Sequence, residues 1–99
     1  MDTATTHNGT SPLYVVAQKG HGAVVGRLIA AGANVDKART DNGVNPLCVA
    51  AQKGHGAVVG RLIAAGADVN KGKTNGHTPL STAARRGYTA SVAQLAASV

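Results

Sequence analysis

Histidine is the residue type in this sequence with the widest scope for metal binding or proton transfer, and the chain has four. His21 and His55 occupy the same position in two copies of a repeated segment. Packed helices lie about 8–10 Å apart, which is too far for equivalent histidines of neighbouring copies to share one ion. His7 and His77 each flank an Asn-Gly pair. We therefore predict no metal site, and we keep only His77 as a candidate binding residue.

The acidic residues and serines, which are the other candidates for catalysis, form no catalytic pattern. The acids are four aspartates with no glutamate, and no pair of them has a spacing suited to acid–base work. No serine is accompanied by a histidine and an aspartate that would activate it. No glycine-rich segment follows a predicted strand and ends in Gly-Lys-Ser/Thr, as a phosphate loop would. The sequence predicts no catalytic residue and no cofactor, so we expect a protein that is not an enzyme.

The chain is basic and has a small-residue core. Ten Lys and Arg against four Asp give a net charge of +6, which favours acidic partners of any kind. Apolar residues make up 43% of the chain, but Trp and Phe are absent. The core must therefore come from Ala, Val, Leu and Ile, whose small side chains suit closely spaced helices.

Cysteine usage and hydropathy bear on the compartment. The single cysteine, Cys48, cannot form an internal disulfide, and this favours a reducing compartment. We interpret it as a small core residue rather than a reactive thiol. No apolar run approaches the roughly 20 residues of a membrane span, and the polar start does not resemble a signal peptide. We expect an intracellular protein, cytoplasmic or nuclear, with no membrane association.

An internal repeat dictates how the elements are organised. Residues 17–33 recur unchanged at 51–67, and a diverged third copy begins near Gly76. A period near 34 residues is typical of stacked arrays rather than of one closed core. We predict a single domain over 1–99, with repeats at about 9–42, 43–75 and 76–99.

Each copy carries the same signals for two helices. Asn-Gly pairs mark turns, and Ser11, Asn45 and Thr78 each stand as an N-cap before a proline at the first helical position. Glycines then fit the left-handed residue that ends each helix. The second helices carry one apolar face, and no strand pattern appears. The sequence predicts an all-α fold of helix-turn-helix units with hairpin-like turns between them.

The combined motif resembles the ankyrin repeat. The motif reads Gly-x-[Ser/Asn/Thr]-Pro-Leu, then Ala-Ala-x-x-Gly-His, then Val-Val-x-x-Leu-Ile-x-x-Gly-Ala, and covers residues 9–97. The resemblance implies a solenoid of three stacked units whose turn tips and first helices form a concave, protein-binding face. It also implies that His21 and His55 order the turn into the second helix. The family's Thr-Pro-Leu-His is altered in every copy, so its inter-repeat hydrogen bonds must be missing or rebuilt.

The third copy has the character of a C-terminal cap. Ser91 and Ala96 replace the apolar Val58 and Ile63 of the second copy, and Thr89, Gln94 and Ser98 add polarity. We expect these polar residues to face outward, where no further repeat packs. On this interpretation the chain is a complete domain, and a piece of a longer array is the alternative.

The resemblance places a candidate partner-binding surface on the concave face. Its members are turn-tip residues and the exposed ends of the first helices: Lys19, Arg39, Asp41, Asn42, Val44, Gln52, Lys53, Lys73, Asn75, His77, Arg85 and Arg86. Six of the ten Lys and Arg residues of the chain lie on this face and only Asp41 opposes them, which predicts an acidic protein or peptide as partner. A simpler explanation is that these charges only keep an Ala-rich stack in solution.

Two rival functions remain open from the sequence. The first is a structural or self-assembling scaffold, natural or engineered, that associates through its second helices or array ends; we favour a monomer over this homo-oligomer. The second is nucleic-acid binding, which we do not expect, because the concave face lacks aromatic side chains for stacking on bases.

Overall fold

A computed structural model describes three stretches of the chain, 11–39, 42–73 and 76–98. Six helices follow one another, and no strand occurs within these stretches. The helices are α1 (Pro12–Lys19), α2 (Gly22–Ala30), α3 (Pro46–Lys53), α4 (Gly56–Ala64), α5 (Pro79–Arg86) and α6 (Thr89–Ala97). The predicted all-α repeat architecture is confirmed.

The helices form two layers. The first helices of the three units pack in the order α1, α3, α5, and the second helices pack in the order α2, α4, α6. Burial is greatest in the middle unit, where six of the eight residues of α3 are buried. Val24 on α2 is 41% exposed, whereas its counterpart Val58 is 1% exposed on α4, which packs against both α2 and α6.

The predicted helix-initiating and helix-terminating residues are confirmed. Each first helix begins after Ser11, Asn45 or Thr78, whose side chain accepts a hydrogen bond from the backbone N–H three residues on. Each first helix ends at a glycine with φ between 74° and 77°, a left-handed conformation that costs other residues about 1–2 kcal/mol.

The inter-repeat hydrogen bonds of the altered motif are rebuilt around one carbonyl. Asn45 Nδ2 donates to the Lys71 oxygen at 3.5 Å, and Cys48 Sγ contacts the same oxygen at 3.6 Å. These contacts tie the start of α3 to the loop that leads to α5. In the third unit, Thr78 and Ser81 instead cap each other's backbone N–H groups within α5.

The glycines of α2 and α4 lie beneath a long side chain of the next unit. A Cβ atom at Gly26 would lie 2.9 Å from Arg61 Nη1, and one at Gly22 would lie 3.3 Å from Arg61 Nε. One unit later, Gln94 Nε2 donates to the Gly56 carbonyl at 2.8 Å and the amide lies over Gly60. The glycines that weaken the helices thus make room for contacts between units.

The outward orientation expected for part of the third copy is wrong. Ser91 is 1% exposed, and Gln94 reaches back to α4 rather than outward. Both positions belong to the face of α6 that packs on the preceding unit, since Ser91 lies one turn before the fully buried Leu95. Thr89, Ala96 and Ser98 are exposed, as predicted.

Candidate binding site on the concave face

The structure positions most of the predicted partner-binding residues on two kinds of element. The exposed or half-buried residues are Lys19, Gln52, Lys53, Arg85 and Arg86 at the ends of the first helices, and Arg39, Asn42, Lys73 and His77 in the turns. Asp41 and Asn75 lie outside the described residues. Val44 is the exception among the rest, because it is 5% exposed and packs in the hydrophobic core. Its apolar side chain turns inward, so Val44 offers little surface to a partner.

A cleft between α3 and α5 brings four of these residues together. Gln52, Lys73, Arg85 and Arg86 line it with Thr82, and its volume is about 180 Å³. We call it the α3–α5 cleft. Three of its five described lining residues are cations, drawn from a turn and a helix end, and none is acidic. The arrangement suits an anionic group that can accept several hydrogen bonds.

Thr82 is the lining residue that the sequence analysis did not identify. It is 5% exposed, and its Oγ1 has no hydrogen-bond partner among the described groups. The preceding copies have Val15 and Val49 at this position. A polar residue replacing valine at a core position, three residues before an arginine, was a signal that aligning the three copies could have shown.

The basic residues of the cleft are held by local structure. The Lys73 N–H donates to the His77 carbonyl at 2.8 Å, which closes the turn before α5. Arg85 Nη1 lies 3.3 Å from His77 Nε2, in a hydrogen bond that the guanidinium donates. Arg85 and Arg86 occupy the last turn of α5, where the partial negative charge of the helix C-terminus stabilises cations.

The corresponding place between α1 and α3 is built differently. Arg39, the counterpart of Lys73, lies with its guanidinium carbon 5.6 Å from the centre of the Tyr14 ring. Val49 stands where the third unit has Thr82, and Gln52 where it has Arg85. This junction therefore has fewer cations at the helix end, and the arginine of its turn is engaged by an aromatic ring.

His55, at the start of α4, contributes to the stacking of two units. His55 Nε2 is 3.0 Å from the Gln18 carbonyl oxygen, and its ring lies against Gly20 of the preceding unit. In the third unit Tyr88 occupies this position and lies against Gly54. Within the described stretches, no three His, Cys, Asp or Glu side chains are grouped as metal ligands.

Cys48 has the environment of a structural residue. It is fully buried, and burial raises the pKa of its thiol despite lowering contributions from a backbone hydrogen bond at Asn45 and from the charge of Lys73. A thiol with a raised pKa stays protonated at neutral pH, and the thiol form is a poor nucleophile. The interpretation of Cys48 as a core residue agrees with both observations.

Comparison with known proteins identifies the repeat. A family model described as "Ankyrin repeats (3 copies)" matches residues 1–73, which include helices α1 to α4 and the turn as far as Lys73. A search of curated proteins gave no significant match. None of the helices within the described stretches has the length and apolar character needed to cross a membrane.

Proposed function

Because the chain belongs to the ankyrin-repeat family, we propose that it is a non-catalytic module that binds an acidic segment of another protein on its concave face. Ankyrin repeats are generally protein-interaction modules, and the finer assignment rests on this chain's own side chains. The observation that carries it is the α3–α5 cleft, where Lys73, Arg85 and Arg86 converge without a described acidic neighbour.

Charge complementarity gives this surface a physical advantage for an acidic partner. The cations of the concave face extend beyond the cleft to Lys53 and Lys19, which are exposed at the ends of α3 and α1. Such a surface raises the association rate and orients the partner, while single exposed charges add little affinity. We expect affinity to concentrate where several cations converge.

The way in which the two tyrosine rings are covered favours a protein partner over nucleic acid. Tyr14 is 5% exposed and has Arg39 over its ring. Tyr88 is half-buried and lies against Gly54. Binding of single-stranded nucleic acid relies on exposed aromatic rings that stack on bases, and neither ring is available for that purpose.

The proposal can be tested with selected peptides. Random 12-residue peptides displayed on phage would be selected on the purified chain, and the selected peptide mapped by amide chemical shifts. We expect enrichment in Asp and Glu and shifts at Gln52, Lys53, Arg85 and Arg86. Shifts confined to the second helices, or selected peptides without acidic enrichment, would overturn the proposal.

A charge-matched pair of variants sharpens this test. Arg85→Glu should weaken binding of the selected peptide by about tenfold. Arg27→Glu makes the same change of net charge on α2, away from the cleft, and should weaken binding by less than about twofold. Equal losses would indicate attraction to net charge rather than binding at the concave face.

A second candidate function, end-to-end assembly, is favoured by the exposure of Val24. This side chain is 41% exposed on α2, although its counterpart on α4 is covered by a neighbouring unit. Light-scattering mass measured over a wide concentration range tests it. Mass that grows with concentration and returns to the monomer value in Val24→Gln would support assembly, and a constant monomer mass would exclude it.

A further inference from the structure

The hydroxyl of Thr82 has an unmet hydrogen-bonding capacity beside the cations of the α3–α5 cleft. A helical threonine commonly donates to the carbonyl four residues earlier, which here belongs to Thr78. That oxygen already accepts from the Thr82 N–H at 3.0 Å and from Ser81 Oγ at 3.0 Å. With both lone pairs occupied, the usual partner of the Thr82 hydroxyl is unavailable.

A buried hydroxyl without a partner destabilises the folded chain, because burial removes its hydrogen bonds to water and nothing replaces them. Helical threonine populates two χ1 rotamers, and Thr82 lines the cleft. Rotation about χ1 carries Oγ1 to another staggered position on Cβ, and this lets the hydroxyl reach an acceptor bound in the cleft. An acceptor bound there would satisfy the hydroxyl and meet Lys73, Arg85 and Arg86 at once.

We propose that the α3–α5 cleft binds one carboxylate group, supplied by an Asp or Glu side chain or by the C-terminus of a partner protein. The proposal rests on the function proposed above and specifies the group recognised. Arg85 and Arg86 supply planar N–H groups that match a carboxylate, Lys73 supplies charge, and the Gln52 amide and Thr82 hydroxyl supply neutral donors. A volume of about 180 Å³ accommodates one such side chain.

The junction between α1 and α3 provides an internal contrast for the site. Its equivalent positions hold Gln52 in place of Arg85 and Val49 in place of Thr82. Its turn arginine, Arg39, lies over Tyr14. The substitutions Arg85→Gln and Thr82→Val therefore give α5 the side chains that α3 carries at the equivalent positions.

The test is a titration with small carboxylates, monitored by NMR. The probes are N-acetylglutamate amide, its neutral counterpart N-acetylglutamine amide, N-acetylalanine with a free α-carboxylate, and inorganic phosphate, all at matched ionic strength. We expect saturable shifts of the Thr82 methyl and the Arg85 Nε–H with glutamate, and no saturable shift with glutamine. Tighter binding of N-acetylalanine than of the glutamate probe would assign the carboxylate to a C-terminus.

The variants report which groups hold the carboxylate. Arg85→Gln should reduce affinity by about tenfold and Thr82→Val by about threefold, in keeping with the strengths of charged and neutral donors. Arg27→Gln, on α2 and outside the cleft, should change it by less than about twofold. Equal losses in all three variants would overturn the proposal, as would tighter binding of phosphate than of either carboxylate.

Failure of this inference can be told from failure of the proposed function. If selected acidic peptides shift the amides of the concave face but glutamate gives only the shifts caused by salt, the carboxylate site is excluded and the interaction function stands. If the selected peptides bind elsewhere on the chain, the proposed function fails whatever the glutamate titration shows.

Discussion

The two junctions between consecutive units use nearly the same helices but differ on the concave side. In the first junction, between α1 and α3, Arg39 lies over Tyr14 and Val49 is buried in an apolar position. In the second, between α3 and α5, the cleft contains Lys73, Thr82 and Arg85. The first junction is completed by contacts within the chain, whereas the second retains an unsatisfied hydroxyl and converging cations.

The second helices also differ between the two junctions. Helices α2 and α4 have the same sequence, but different side chains of the following unit cover them. Residues 17–33 and 51–67 have the same sequence, yet Arg61 covers the glycines of α2 and Gln94 covers those of α4. The duplicated segment therefore presents the same helix surface to the following unit in both junctions. What each junction does depends on the residues that the following unit brings to it.

The largest expected effect tests how tightly the junctions close around the left-handed glycines. Gly20, Gly54 and Gly87 share a φ near 75°. A Cβ atom at Gly20 would lie 2.8 Å from the His55 ring and one at Gly54 would lie 3.1 Å from the Tyr88 ring, whereas one at Gly87 would have no described atom within 4 Å. We expect Gly87→Ala to cost about 1 kcal/mol from backbone strain alone. Gly20→Ala should cost about 3 kcal/mol because the ring must also move, with Gly54→Ala between them.

Urea unfolding with a common slope measures these three free energies. Gly87→Ala is the control, since it has the same backbone strain without a neighbouring ring. Equal losses in all three variants would show that the rings move aside freely. The two junctions would then be no tighter than the surroundings of Gly87.

The next prediction concerns one buried position that is apolar in the first junction, Val49, and polar in the second, Thr82. Val49→Thr places a hydroxyl in an apolar site that is 2% exposed and should destabilise the chain by about 1–2 kcal/mol. Thr82→Val removes the unpartnered hydroxyl and should stabilise it by about 1 kcal/mol. Thermal unfolding at a fixed pH measures both shifts. A destabilised Thr82→Val would mean that the hydroxyl has a partner in solution.

Much of the local structure could be predicted from single residues and their neighbours in sequence. The N-caps at Ser11, Asn45 and Thr78 and the left-handed glycines depend on contacts within one turn, so the pattern alone specifies them. The period of the repeat then determined the stacking order. The α3–α5 cleft was predicted only in part, because the resemblance indicated the helix ends and the turn tips.

The residues that the sequence analysis placed wrongly depend on packing between units. Val44 lies in a turn, yet its side chain reaches the core. Ser91 and Gln94 were assigned to the outer face because they are polar, although their positions on α6 face α4. Thr82 replaces a valine of the earlier copies, but only the structure shows that the Thr78 carbonyl is occupied and leaves the Thr82 hydroxyl without a partner. Residue type predicts an average environment, and these positions depart from it.

A smaller effect tests the glycines beneath the two covering side chains. Gly26→Ala should stabilise the chain by about 0.5–1 kcal/mol, because alanine favours the helix and the exposed end of Arg61 can move into solvent. Gly60→Ala has the same propensity gain, but it displaces the Gln94 amide from its bond to the Gly56 carbonyl. That loss of about 1 kcal/mol should leave a net change near zero.

Urea midpoints of the two variants give the comparison directly. Stabilisation of similar size in both would show that the Gln94 hydrogen bond contributes nothing measurable. Adding Gln94→Ala to Gly60→Ala provides the control, because alanine at position 60 should then stabilise the chain about as much as it does at position 26.

The smallest expected effect isolates the contact that distinguishes the turn of the first junction. A double-mutant cycle of Arg39→Gln and Tyr14→Leu should give a coupling free energy of about 0.5 kcal/mol, typical of a cation–π pair whose cation remains partly solvated. The matched cycle in the second junction, Lys73→Gln with Cys48→Ala, should give a coupling near zero, because a buried neutral thiol offers an ammonium no comparable attraction. Equal couplings would mean that Lys73 is held as firmly as Arg39. In that case the α3–α5 cleft would be closed by its own contacts, as the first junction is, and its cations would be less free to meet a partner.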